Sequence, residues 1–286
     1  MIKIYYQLTK PGIIYGNAIT MIAGFFLASQ GHIDWQLLLA ALVGLSLIIA
    51  SGCVFNNIAD RDIDNRMERT KNRALVTGAI SKQKAFIFGT ILGLSGALTL
   101  YFTTNPLTLC VALVGLFVYV ALYTPLKRLT MHATLVGAVA GAVPPVVGYC
   151  AVTNSLDLGA ILLFLILVAW QMPHFYSIAI RRRDDYTQAR IPVLSVKKGI
   201  YVTKINIMIY IMIFIMMLIL LNVYGYAGLV YLGVMLLISL YWFLLAVKGL
   251  KPAIDDKAWA KKMFLFSLFV LLVFSLMVSI NGIIRI

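Results

Sequence analysis

The sequence predicts an all-α polytopic membrane protein with nine transmembrane helices, its N-terminus in the cytoplasm and its C-terminus outside. Three observations carry this reading. Of 286 residues, 62% are hydrophobic and only 12% charged, and the mean hydropathy is +0.95, which excludes an ordinary globular domain. Nine apolar stretches are each long enough to cross ~30 Å of hydrocarbon at ~1.5 Å per residue. All but one of the 24 Lys and Arg residues fall in the N-terminus or in the loops after helices 2, 4, 6 and 8, the exception being Arg285. The opposite loops, QGHID, TTNP, TNSLD and NVYGY, carry none. Cytoplasmic loops hold the excess of bases, so this asymmetry sets the orientation and supports an odd number of spans. Topology therefore accounts for the net charge of +14, and no nucleic-acid partner is implied.

The spans are read at residues 11–29, 36–56, 84–103, 107–123, 134–152, 158–180, 204–223, 227–247 and 263–284. Pro11-Gly12 opens the first, proline being tolerated in a first turn. The second runs into a charge-dense stretch, Asn56–Arg73. The third carries Gly89, Gly93 and Gly96, and the fifth Gly137, Gly141 and Gly148, small-residue surfaces suited to close helix packing. The fourth is the shortest. Pro144-Pro145 is expected to break the fifth, and Pro173 to interrupt the sixth near its cytoplasmic third. Cys53, Cys110 and Cys150 lie in apolar segments without paired spacing and read as small core residues. Neither a cleavable signal-peptide pattern nor an Arg/Ser-rich leader is seen, which favours a bacterial-type plasma membrane.

The polar clusters capable of chemistry all face the cytoplasm on this topology. Asn56, Asp60 and Asp64 follow i, i+4, i+8 spacing, which stacks three oxygen-bearing side chains on one helix face, with Asn57 beside them and Asp62 facing solvent. Carboxylates gathered at a membrane face suit Mg²⁺, which keeps waters and takes further ligands from substrate phosphate. A solvated helix end is the alternative. Arg66, Arg69, Lys71 and Arg73 follow at once, fit to neutralise a diphosphate or simply to set topology. Tyr123 and Lys127, with Arg128, share a face at the end of the fourth span, as a phosphate contact or an interfacial anchor. His174 lies within the sixth span after Pro173, and Arg181, Arg182, Arg183, Asp184 and Asp185 form a mixed cluster at that span's end. An intramembrane histidine is a functional candidate or a hydrogen-bonded structural residue. Two acidic-basic loops at one membrane face suit a diphosphate whose apolar tail enters the bundle, gaining ~0.8 kcal/mol per buried CH₂.

The stretches LTKPGIIYGN (8–17), NNIADRDIDNRMERTKNRAL (56–75), YTPLKRLT (123–130), GAVAGAVPPVVGY (137–149) and WQMPHFYSIAIRRRDDYTQARIPVL (170–194) together resemble the UbiA superfamily of intramembrane prenyltransferases, and within it the branch that farnesylates heme. The last three spans match only in hydropathy. The resemblance implies one domain over 1–286, nine helices around a central cavity, with cytoplasmic caps at about 57–83 and 181–203. It implies transfer of a farnesyl group from farnesyl diphosphate to a vinyl group of heme b, with release of diphosphate, in the inner membrane of a bacterium with the catalytic face cytoplasmic. Mg²⁺ is the implied cofactor, held by Asn56, Asp60 and Asp64. Asp60, Asp64, Arg66, Arg69, Lys127 and Asp185 are the implied catalytic residues. Asn56, Asn57, Arg73, Tyr123, His174, Arg181 and Arg182 are the implied substrate contacts, His174 being the candidate for heme. The superfamily's second motif reads DxxxD, but here Arg181 stands at its first position and only Asp185 remains. His132 stands near where the heme branch shows Asn. Heme A synthase and oxidase assembly factors are the implied protein partners, beside the lipid bilayer. The competing readings are a prenyltransferase for a quinone precursor or chlorophyllide, a transporter of anionic or heme-like solutes, and a non-catalytic heme-handling protein. No inverted repeat supports the transporter.

Overall fold

Backbone polar groups cannot be left open in hydrocarbon, so apolar stretches of this length close their hydrogen bonds as helices. The structure, a computed structural model, describes residues 2–284; the Arg285 assignment and the C-terminus lie outside the described residues. Among the described residues all regular structure is helical, and nine helices are long and apolar enough to cross a membrane. They are α1 (Pro11–Ser29), α2 (Trp35–Ala59), α3 (Lys82–Thr103), α4 (Pro106–Leu126), α5 (Ala133–Thr153), α6 (Leu158–Arg181), α7 (Gly199–Val223), α8 (Leu229–Lys248) and α9 (Asp256–Ile284). Each packs against the next, and α9 closes the circuit on α1. Across the circuit α1 also meets α5, and α6 meets α9. The main core fills the space among α1, α5 and α6–α9, with Trp242, Tyr231 and Phe274 fully buried.

The glycine surfaces work as their spacing predicts. Gly93 and Gly96 on α3 lie against Ser51 and Gly44 of α2, and Gly148 on α5 lies against the Met21 backbone of α1. Helix α5 breaks at Ala142, just before Val143-Pro144-Pro145, because proline crowds the preceding turn. Helix α6, in contrast, runs unbroken through Pro173. The expected interruption is absent, since proline removes a single N–H and the helix is clamped on both sides by α7 and α9. Two starts also differ from expectation. Helix α7 begins at Gly199 rather than 204, and α9 at Asp256 rather than 263. The extra turns of α9 carry Lys257, Lys261 and Lys262 on exposed faces, which an apolarity criterion ends too early; that of α7, residues 199–203, carries no lysine. The buried exception is Lys204 on α7, whose Nζ donates to Gly249 O at 2.6 Å and Asp256 Oδ1 at 2.5 Å under the Trp259 ring.

The segments after α2 and α6 are ordered. The first holds a turn of helix at Arg61–Asp64, the second holds Arg183–Gln188 and Leu194–Lys197. Ile63 and Met67 from the first pack with Tyr186, Ala189, Ile191 and Val193 from the second. The two segments thus cover the same end of the bundle.

Candidate functional site

Helix α2 stops at Ala59, with Asp60 as its cap at φ −88° and ψ 0°. The chain resumes helical pitch at once, as Asp60 N donates to Asn56 O and Asp64 N to Asp60 O. Asn56, Asp60 and Asp64 therefore share one face across a helix break rather than along one continuous helix. All three are buried.

Each of the three holds a base from a different part of the chain. Lys10, just before α1, donates to Asn56 Oδ1 at 2.5 Å. Lys127, just after α4, pairs with Asp60 Oδ2. Arg73 pairs with Asp64 Oδ2 at 2.6 Å and reaches Asn57 Oδ1 at 3.2 Å. Burial lowers the Lys10 pKa to about 8, helped by the charges of Arg73 and Lys127 and opposed by Cys53 and Asp60. Burial also lowers the Lys127 pKa, with Asp60 pulling it back. Asp60 Oδ1 is buried with no hydrogen-bond partner. A bare carboxylate oxygen beside an amide oxygen and a second carboxylate is a donor set that fits a hard cation such as Mg²⁺. Among the described residues no three His, Cys, Asp or Glu side chains cluster, so water or phosphate must complete any such coordination.

The amide of Asn56 is oriented from α4. A π-helical segment, Val118–Tyr123, ends that helix. It places Thr124 Oγ1 to donate to Tyr119 O at 2.8 Å and accept from Asn56 Nδ2 at 2.9 Å. Asn56 Oδ1 is thereby turned toward Lys10. Tyr119 and Tyr123 stack at 5.7 Å, and Lys127 Nζ sits 5.5 Å over the Tyr123 ring, as the i, i+4 spacing implied. Asn57 behaves differently from its neighbour. Its Nδ2 donates to Leu8 O at 2.9 Å while its Oδ1 accepts from Arg73, so both ends tie the N-terminal segment and the loop together.

The remaining sequence candidates are spread out. Arg66 and Arg69 are exposed, and their side chains make no hydrogen bond or ion pair among the described residues. Asp62 is exposed as expected but takes both forks of Arg128 at 2.8 Å, which holds its pKa below the usual carboxylate range; Arg128 also donates to Ala59 O, closing the end of α2. In the facing segment Asp185 lies 3.9 Å from Arg182, and Asp184 pairs with Lys257 of α9. Arg181 is partly buried and joins no acid among the described residues. His132 is exposed at the start of α5. His174 lies deeper in α6, hydrogen-bonded to Ser267 of α9 and outside the Asp60 cluster. Lys10, Thr124 and Ser267 are the participants that spacing does not reveal; Lys10 does lie within the conspicuous LTKPG stretch.

Residues 17–268 match the UbiA prenyltransferase family. The chain is 53% identical to the protoheme IX farnesyltransferase of Pseudomonas savastanoi pv. phaseolicola, over 98% of this chain and 95% of that one. It is 51% identical to the protoheme IX farnesyltransferase of Pectobacterium carotovorum subsp. carotovorum, over 99% and 96%. The fold matches a solved digeranylgeranylglyceryl phosphate synthase with a TM-score of 0.82 at 19% identity, covering 99% and 98% of the two chains. It matches a UbiA homologue from Archaeoglobus fulgidus, solved with GPP and Mg²⁺, with a TM-score of 0.70 at 14% identity, covering 96% and 99%.

Proposed function

This chain belongs to the UbiA prenyltransferase family, and we propose that it transfers a farnesyl group from farnesyl diphosphate to a vinyl group of heme b, forming heme O and diphosphate in a bacterial inner membrane. The protoheme IX farnesyltransferases of similar sequence support the choice of donor and acceptor. The observation that carries the chemistry is the bare Asp60 Oδ1 among Asn56, Asp64 and three bases at one end of the bundle.

Asn56 Oδ1, Asp60 and Asp64 would hold Mg²⁺, which when bound supplies positive charge to the diphosphate as the carbon–oxygen bond breaks. Lys10, Lys127 and Arg73 neutralise the same leaving group, Arg73 by its planar fork. Arg66 and Arg69 are free to fold in over it from the loop. Arg181, Arg182 and Asp185 close the facing side from the cap of residues 181–203. Tyr123 walls the passage from the polar end toward the apolar interior, where the farnesyl chain runs. The allylic cation left behind meets the electron-rich vinyl group, and water captures the resulting cation. No strong base is needed; the side chains ionise, position and shield. His174 contacts the heme. The catalytic face is cytoplasmic, and heme A synthase and oxidase assembly factors are the partners that would take the product onward.

The test is turnover by purified Asp60→Ala and Asp64→Ala with heme b, farnesyl diphosphate and Mg²⁺, the product identified by mass. Removing a group that stabilises developing charge costs on the order of 100-fold or more, so both variants should fall at least that far. Normal product formation by both would sink the assignment of this site.

A further inference from the structure

The turn that follows α2 has two sides. Asp60 and Asp64 are buried on one, while Arg61, Asp62 and Asn65 stand exposed on the other. On that second side the turn borders a cavity of about 420 Å³, which Lys82 joins from the start of α3 and which Ile58 and Val76 wall with hydrocarbon. Asp62 is the one acid among the lining residues, and both its carboxylate oxygens are taken by Arg128 at 2.8 Å. The side chains of Arg61, Asn65 and Lys82 make no hydrogen bond or ion pair among the described residues. Two positive charges therefore line the cavity without a counter-charge.

Topology explains why bases gather at this end of the bundle. It does not explain why two of them, from different elements, meet at one cavity with apolar walls. Arg61 offers a planar fork, Lys82 a point charge and Asn65 a neutral amide donor, and a phosphate can accept from all three. What hangs from that phosphate is read from the surroundings. One turn along α3 from Lys82, Phe86 is exposed and meets Phe55 of α2 edge-on at 5.6 Å. Ile87, Ile91, Leu94 and Leu98 continue this exposed apolar face along α3. In a membrane-spanning helix such a face lies against hydrocarbon, so a chain attached to a phosphate in the cavity would run along it.

We propose that this cavity binds the phosphate of an anionic phospholipid, with Arg61 and Lys82 meeting its charge, Asn65 donating beside them, and the acyl chains lying along the exposed face of α3. Binding is non-covalent and moves no proton. A zwitterionic lipid brings its own cation to the same place, where two bases repel it, so the site discriminates by headgroup charge. The lipid braces from behind the turn that carries Asp60 and Asp64, yet the inference does not depend on what those acids do.

The test titrates full-length protein in neutral detergent with phosphatidylglycerol or phosphatidylcholine and counts retained lipid by native mass spectrometry. Wild type should hold one phosphatidylglycerol in preference to phosphatidylcholine. Arg61→Gln with Lys82→Gln should raise the phosphatidylglycerol Kd on the order of tenfold or more and leave that of phosphatidylcholine unchanged. Arg61→Lys with Lys82→Arg keeps both charges and should restore the preference. Lys248→Gln with Lys251→Gln removes the same charge from exposed positions at the end of α8 and should change nothing. An equal rise in both glutamine pairs, or a wild type that holds the two lipids alike, overturns the inference. Excess inorganic phosphate should not displace the lipid; displacement would make this a free-anion site and end the lipid assignment. The unfolding temperature in phosphatidylcholine should be the same for wild type and the Arg61/Lys82 variants, and phosphatidylglycerol should raise it only where both charges remain. A lower temperature for the glutamine pair in phosphatidylcholine would assign Arg61 and Lys82 to folding and overturn the inference.

Discussion

Lys10 reaches Asn56 from a left-handed backbone conformation, φ 52°, held just ahead of Pro11. Burial lowers its pKa to about 8. Below that pH it carries the charge a diphosphate needs, and above it that charge is lost. The KM for farnesyl diphosphate should therefore climb as pH rises through about 8, and Lys10→Arg, which stays charged, should flatten that climb. An identical profile in the variant would remove Lys10 from substrate binding. For stability the sign is opposite in sense. The folded pKa lies below the ordinary 10.5, so charged Lys10 costs stability at neutral pH, and the cost is relieved between about pH 8 and 10.5. Asn56, Asp60 and Asp64 are readable in the sequence because their relation is local, one helical turn at a time. Lys10 is not, since its partner is 46 residues away and only packing brings them together. Asn57 misleads for the same reason: spacing places it beside the acids, but Leu8 and Arg73 occupy both ends of its amide.

Helix α5 meets α1 with no space between backbones. A Cβ on Gly24 would stand 2.0 Å from Pro145 O, and one on Gly148 would stand 2.1 Å from Met21 O. Neither neighbour can yield, as both are main chain. Gly24→Ala and Gly148→Ala should each destabilise the protein by roughly 1–3 kcal/mol or more, read as a lower unfolding temperature in detergent. Gly233→Ala on α8, where nothing lies within 4 Å, should be neutral or slightly stabilising. Equal losses at all three positions would mean that glycine spacing is not what sets these crossings. The spans themselves are plain in the sequence because length and apolarity define them. The π-helical end of α4 is not, since five-residue closure leaves no periodic trace in so apolar a run, yet it supplies the Thr124 hydroxyl that turns Asn56.

At the scale of the molecule, the circuit from α1 to α9 puts the starts and ends that carry bases at one end and the base-free turns at the other. Orientation in a cell is checked by single cysteines placed in a variant lacking the native three. Glu68→Cys should be protected from a membrane-impermeant maleimide in intact cells and react in inverted vesicles, while Leu156→Cys, exposed in the turn before α6, should behave oppositely. Matching labelling of both from one side would overturn the topology. Charge asymmetry alone is what sets this expected orientation. The closure of α9 on α1 and the meeting of the two loops through Ile63, Met67, Ala189 and Ile191 are not, because no period in the chain encodes which distant faces meet.

Asn56, Asp60 and Asp64 each hold a base. Filling such a site is an exchange of partners rather than the occupation of a vacancy. Free magnesium would have to displace Lys10, Lys127 and Arg73 with nothing to receive them. Free diphosphate would have to draw those bases away and strand two buried carboxylates. Arriving together, each ligand takes what the other releases, and by linkage each raises the affinity for the other by the same factor. On the proposed function, the pocket would favour the neutralised salt over either ion alone.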